Sequence, residues 1–232
     1  MSATLVQHTY VRSVGDVDSV SVAFGSNVTA GNTIIAPAAT IGTEPQTGAV
    51  TDTLSNSYAR DVSIDPASSS RNTSIFRASG IAGGACTVTL DVTGTAWQNL
   101  VISEWSGMAA APLDGTATGE GNDAAPVTGS FSPSGPCTII GMLTHDNITI
   151  SITPGATYTQ LDEAEDFGAS FPFGAEYKQV AAGTYTADWS VGSTPTWVCC
   201  AAAYLDVAGQ PSSPPWGAAP LSTAPSGQRA GW

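Results

Sequence analysis

Short runs rich in Val, Ile, Thr and aromatic residues recur from the N-terminus to Leu205, parted by clusters of Gly, Pro, Asn and Ser, while helical periodicity is nearly absent. Such punctuation is the signature of many short strands joined by turns, and it restricts the chain to a β-sandwich or a barrel. The expected strands are Thr4–Arg12, Ser19–Phe24, Thr33–Ala39, Ala59–Ile64, Asn72–Ala78, Cys86–Val92, Asn99–Trp105, Cys137–Leu143, Ile148–Ile152, Tyr158–Asp162, Phe173–Gln179, Gly183–Trp189 and Trp197–Leu205. Ser19–Phe24 and Thr87–Val92 alternate apolar and polar residues, as strands with one wet face do. Leu100-Val101-Ile102 and Thr138-Ile139-Ile140 do not alternate, which predicts strands covered on both faces. The fold expected is all-β: an antiparallel, jelly-roll-like β-sandwich over residues 1–208.

The last residues obey a different chemistry. From Gly209 the chain reads GQPSSPPWGAAPLSTAPSGQRAGW, with too little apolar surface to offset the entropy of ordering it alone. Its prolines favour an extended, polyproline-like path. Residues 209–232 are therefore expected to form an extended arm. Trp216, Leu221 and Trp232 would be its anchors and Pro214 and Pro215 its stiffeners, because a partner's surface supplies the burial the segment lacks. Within the strand-rich region the weakest boundary is Ala117–Ser134, which reads as a long connection inside one sandwich rather than a linker between two. Thr194-Pro195 and Ser132–Pro136 mark turns.

Charge narrows the partners. Nineteen acidic residues face six basic ones, the net charge is -13 and Lys178 is the sole lysine. Such a chain repels phosphate, so neither nucleic acid nor an anionic membrane surface is an expected partner. The N-terminus lacks a basic stretch followed by an apolar one, which points to synthesis and retention in the cytoplasm. The four cysteines, Cys86, Cys137, Cys199 and Cys200, form no CxxC pair, and neighbours in a strand face opposite ways. Buried free thiols are expected, with no cofactor or metal.

Few residues suggest chemistry. Glu104 and Asp114 end or follow an apolar strand and could face each other as glycosidase carboxylates do, although sequence position sets no separation. His145-Asp146 could join a serine, but no GxSxG turn is present. The run Asp162-Glu163-Ala164-Glu165-Asp166 offers hard oxygens suited to Ca²⁺ without the Asp-x-Asp-x-Asp-Gly order, so a solvated acidic loop is expected. Beyond it, Phe167, Phe171, Phe173 and Tyr177 surround Pro172 and Gly174. Exposed, they could stack on sugars or fill a neighbour's pocket; buried, they are core.

Several segments in order carry a resemblance: Val28–Asn32, Val50–Tyr58 with its Asp52 and Asn56, Ile75–Ala78, Ile81–Gly84, Ser103–Gly107 and Pro112–Thr116. Locally, Thr29–Asn32, Ile81–Gly84 and Pro112–Gly115 read as turns, and Asp52 and Asn56 as loop-shaping side chains. From Val17 to Val207 the succession resembles a β-sandwich module of bacteriophage structural proteins and bacterial surface proteins. The resemblance implies a binding or structural role and carries over no catalytic residue. The expectation is a non-enzymatic virion protein made in the host cytoplasm, namely a capsid decoration (cement) protein that contacts capsid protein and sibling subunits as a homo-oligomer. A head or tail fibre domain, a shell subunit, or a carbohydrate-binding module of a surface protein is the alternative.

Overall fold

A computed structural model of the chain describes residues 2–42, 48–66, 70–147, 150–162 and 172–207. Fourteen strands run through them: β1 Thr4–Arg12, β2 Val17–Ala23, β3 Thr33–Ile41, β4 Gly48–Asp52, β5 Ala59–Ile64, β6 Arg71–Ser79, β7 Thr87–Ser106, β8 Met108–Gly121, β9 Cys137–His145, β10 Ile152–Pro154, β11 Thr159–Gln160, β12 Phe173–Val180, β13 Trp189–Val191 and β14 Trp197–Asp206. No helix occurs among the described residues, and every strand pair is antiparallel. One large sheet has the order β1-β7-β3-β6-β5, and β2 and β4 also pair with β7; the second has the order β11-β12-β9-β14-β8, and β10 and β13 form a ribbon.

The two large sheets pack face to face as a β-sandwich. Ile35, Ala39, Ile75, Val101 and Trp105 of the first meet Ile140, Met142, Phe173, Ala175, Cys200, Ala202 and Tyr204 of the second in one cluster. Each sheet is also covered on its outer face. Ile34, Ala36, Phe76, Leu100 and Ile102 lie beneath Val20, Val50, Val88 and Leu90. Ile139, Leu143, Cys199, Ala201 and Ala203 lie beneath Phe131, Ile150, Ala187, Trp189 and Val191. Successive residues therefore alternate between two dry layers. This is why Leu100-Val101-Ile102 and Thr138-Ile139-Ile140 are buried without interruption, as their unbroken apolarity predicts.

Strand β7 supplies both a layer and its cover. The sequence suggests two strands, Cys86–Val92 and Asn99–Trp105; the structure joins them. The first half pairs with β2 and β4, the second with β1 and β3. At the joint, three extra residues open between the pairs Val17↔Ala96 and Ser19↔Asp91, and Gly94 adopts φ +85°, a conformation that side chains resist. The first half thereby folds back over the second.

Other expectations need correction. Pro112–Gly115 is not a tight turn but lies inside β8, where Ala203↔Gly115 and Tyr204↔Leu113 leave Asp114 as a bulge. Pro112 is tolerated because β8 is the outer strand of its sheet. Only Trp189 of Gly183–Trp189 lies in a strand, with Tyr185 and Asp188 making isolated bridges to Phe131 and Val127. Of Tyr158–Asp162, only Thr159–Gln160 is strand. Residues 148 and 149 lie outside the described residues, so of Ile148–Ile152 the structure shows Ile152 opening β10.

Candidate functional site

The arm residues Trp216, Leu221, Trp232, Pro214 and Pro215 lie outside the described residues. What is described is the end of β14, just before them. The Asp206 N–H donates to Pro136 O (3.0 Å) and the Val207 N–H to Gly107 O (2.7 Å), so the chain is pinned at the β7–β8 corner.

One polar grouping lies where side chains of β1 meet Phe173 of β12 and Leu161, just beyond β11. A bulge between Leu5 and Gln7 changes which face the following residues present. Leu5 packs against the inter-sheet core, and beyond the bulge His8, Tyr10 and Arg12 reach the second sheet. The His8 ring nitrogen Nδ1 lies 2.7 Å from Leu161 O, Tyr10 meets the Phe173 ring edge-on at 6.3 Å, and the Arg12 guanidinium sits 4.8 Å above the same ring. Behind them Asp162 is only 1% exposed. Its Oδ1 accepts the Ala175 N–H at 3.1 Å, and burial pushes its carboxyl up to about 7 against the opposing pull of that bond. The expected solvated acidic loop is thus wrong for Asp162. Glu163, Glu165 and Asp166 lie outside the described residues, as do Phe167 and Phe171. Phe173 is buried, and Tyr177 packs edge-on against Trp105 at 5.1 Å, so these two rings are core and not a sugar platform.

On the other side of β12 lies a grouping that the sequence did not suggest. Glu176 is fully buried and its Oε2 accepts the Gly155 N–H at 3.0 Å. Burial, with Asp188 adding its charge, drives the carboxyl up to about 9. Tyr158 stands beside it, its hydroxyl donating to Thr186 O at 2.7 Å, and Lys178 lies 5.1 Å over the Tyr158 ring. In sequence Glu176 looks like the wet position of an alternating strand. Only the presence of an outer cover makes it an interior residue.

The other candidates are structural. Glu104 is fully buried: its Oε1 accepts the Thr29 N–H (2.8 Å) and Asn32 Nδ2 (2.6 Å), and its Oε2 accepts Gln7 Nε2 (2.7 Å). It ties β1 and the Thr29–Asn32 turn to β7. Asp114, on the other sheet, accepts the Ser134 N–H (2.5 Å) and hydroxyl (2.8 Å), so the two carboxylates serve separate loops rather than one cleft. His145 is a buried strand end and not a loop histidine. Its Nδ1 accepts the Asn147 N–H at 3.2 Å, and burial pulls its pKa down to about 4. Asp146 turns to the Thr196 N–H instead (3.0 Å), so no His-Asp dyad forms. Asp52 behaves as its local sequence predicts: Oδ1 accepts the Leu54 and Asn56 N–H groups (2.9 and 3.0 Å), and Oδ2 accepts Asn56 Nδ2 and the Tyr58 hydroxyl (2.7 and 3.0 Å). All four cysteines are free and buried, Cys199 and Cys200 on opposite faces of β14. Burial pushes the Cys86, Cys137 and Cys200 thiols up to about 12, which makes them inert.

Comparison with protein-family models, with curated proteins and with solved structures returns no match.

Proposed function

We propose that the chain is a non-enzymatic structural protein of a bacteriophage virion, a capsid decoration protein that sits over junctions between capsid subunits. The observation that carries this reading is the contrast at Val207. The described sandwich is dry on three levels and its last strand, ending at Asp206, is pinned to the β7–β8 corner, while the sequence beyond is Pro-rich, with Trp216, Leu221 and Trp232 but too little apolar surface to bury them alone. An arm pre-extended by Pro214 and Pro215 loses little entropy when it docks, and its tryptophans are the residue type that dominates such contacts. Acidity suits docking on a more basic capsid surface and keeps the protein off the genome. The partners are capsid protein and sibling subunits in a homo-oligomer, assembled in the host cytoplasm and retained in the virion. Fibre and shell-subunit roles belong to the same class. A sugar-binding module is the alternative from another class, and it has lost Phe173 and Tyr177 to the core.

The test is removal of the arm. A chain ending at residue 208 should keep its melting temperature as an isolated subunit while losing self-association in sedimentation and co-sedimentation with capsids stripped of decoration. Trp216→Ala and Trp232→Ala should each weaken binding by about 2 kcal/mol. Undiminished assembly by the shortened chain would overturn the proposal.

A further inference from the structure

Two carboxyls in the interior meet at β12, the strand next to the short edge strand β11. Asp162 lies two residues beyond β11 and bonds to the Ala175 N–H of β12; Glu176 is the next residue of β12 and bonds to the Gly155 N–H of the loop after β10. Each has one oxygen, Asp162 Oδ2 and Glu176 Oε1, that is buried without a hydrogen-bond partner among the described residues. A carboxylate in that position leaves lone pairs unsatisfied in a dry site; a carboxylic acid has one fewer acceptor to satisfy and no charge to desolvate.

The surrounding charges do not offset this. Asp162 faces Arg12 of β1 and the Gln160 side chain, and desolvation still outweighs their pull; the neighbouring His8 ring is held on Leu161 O. Glu176 faces the Asp188 carboxylate, which raises its pKa, and Lys178, which lowers it more weakly. Tyr158 and, from β14, Cys199 complete its surroundings and supply no positive charge. Asp61 has the Arg77 guanidinium at 2.9 Å; neither interior carboxyl has such an ion pair among the described residues.

The ladder these groups hold is thin. β11 contributes only Thr159 and Gln160, paired with Tyr177 and Glu176, and the Leu161 N–H to Ala175 O bond (2.8 Å) extends it by one residue. β9, by contrast, is paired on both sides from Cys137 to Thr144. An opening confined to this rim would therefore leave the central strands intact.

We propose that the β11–β12 rim is a proton-held latch, closed while Asp162 and Glu176 carry protons and opening locally as they ionise. The sign follows from linkage. Both carboxyls hold protons more tightly when buried than when exposed, so opening releases protons and the rim is best held in acid. Asp162 contributes hold that is complete below its ordinary range near 4 and lost as pH rises through about 7. Glu176 contributes hold that is lost as pH rises through about 9. Where one group titrates, the opening equilibrium rises up to tenfold per pH unit.

Hydrogen exchange read by mass spectrometry from pH 5 to 9, corrected for intrinsic rates, tests this on the full chain. Peptides covering 155–162 and 173–180 should lose protection as pH rises, while those covering β9 and β14 should not. Asp162→Asn should halve the slope below about pH 7, where both groups titrate, and leave it unchanged above, while Glu176→Gln should halve it below about pH 7 and flatten it above. Parallel loss in rim and core, or the same pH slope in both variants as in the native protein, would overturn the latch. A second reading needs no variant. Carbon-13 carboxyl titration of the native protein should give two groups with mid-points far above the ordinary range; ordinary mid-points for both would sink the proposal by themselves.

Discussion

The two outer covers of the sandwich solve one problem by different means. Over the first sheet, β2, β4 and the folded-back half of β7 form a regular ladder, and Val20, Val50, Val88 and Leu90 arrive at strand spacing. Over the second, the cover is a ribbon of two three-residue strands and two isolated bridges, and large rings do the filling: Phe131, Trp189 and, from β14 itself, Trp197. A ladder distributes its hold over many small contacts that compensate for one another. A cover of a few rings concentrates it, so single substitutions there should be felt more sharply.

Trp189→Ala should be the most damaging change, costing about 3–5 kcal/mol, against about 2–3 kcal/mol for Leu90→Ala in the ladder, since a ring leaves a larger hole. Urea unfolding of both variants checks the ranking, and equal losses would remove the distinction between the covers. Next in size is the response to acid. His145 ends the central strand of the second sheet and is held neutral, its pKa down to about 4. A group so depressed contributes stability that is present above its unfolded value near 6.5 and is lost as pH falls through about 4. At about 1.4 kcal/mol per unit the ceiling is about 3 kcal/mol. Asp162 and Glu176 act in the opposite sense, so thermal melting should be most favourable in mildly acidic solution, and His145→Phe should move that optimum downward. The smallest effect sharpens the comparison furthest. A methyl group added at Gly141 would lie 2.8 Å from Cζ2 of Trp189, so Gly141→Ala should cost about 1–3 kcal/mol, and less in a Trp189→Phe background. A full double-mutant cycle reads that coupling.

What the sequence disclosed follows the same division. β1 and β5 can be drawn to the residue, and the dry strands β3, β9 and β14 are missed only at their ends, because side-chain alternation or unbroken apolarity is a local property. β8 was hidden: MAAAPLDGTATGEG has a proline and three glycines and is held extended by its partner β14 rather than by its own preferences. The gap expected between Val92 and Asn99 is a bend within one strand, with Gly94 at φ +85°. Among polar residues, the Asp52–Asn56–Tyr58 loop was legible because its bonds span six positions or fewer. Glu104 draws its partners from 97, 75 and 72 residues away, and Glu176 and Asp162 owe their character to layers brought over them by distant segments. No window along the chain contains that information.

The placement of β1 has a consequence in time. Its partner in the sheet is the second half of β7, with Thr4 opposite Ser106. At a synthesis rate of roughly 5–20 residues per second, the first strand waits on the order of five to twenty seconds before the residues that will hold it exist. The side chain of Gln179, which bonds to the Ala3 carbonyl, comes later still. For that interval the nascent chain carries an unpaired edge rich in Val, Thr and Tyr. Arg12, which in the finished protein lies over the Phe173 ring, puts a charge on the waiting strand, and a charge makes an unpaired strand a poorer template for pairing.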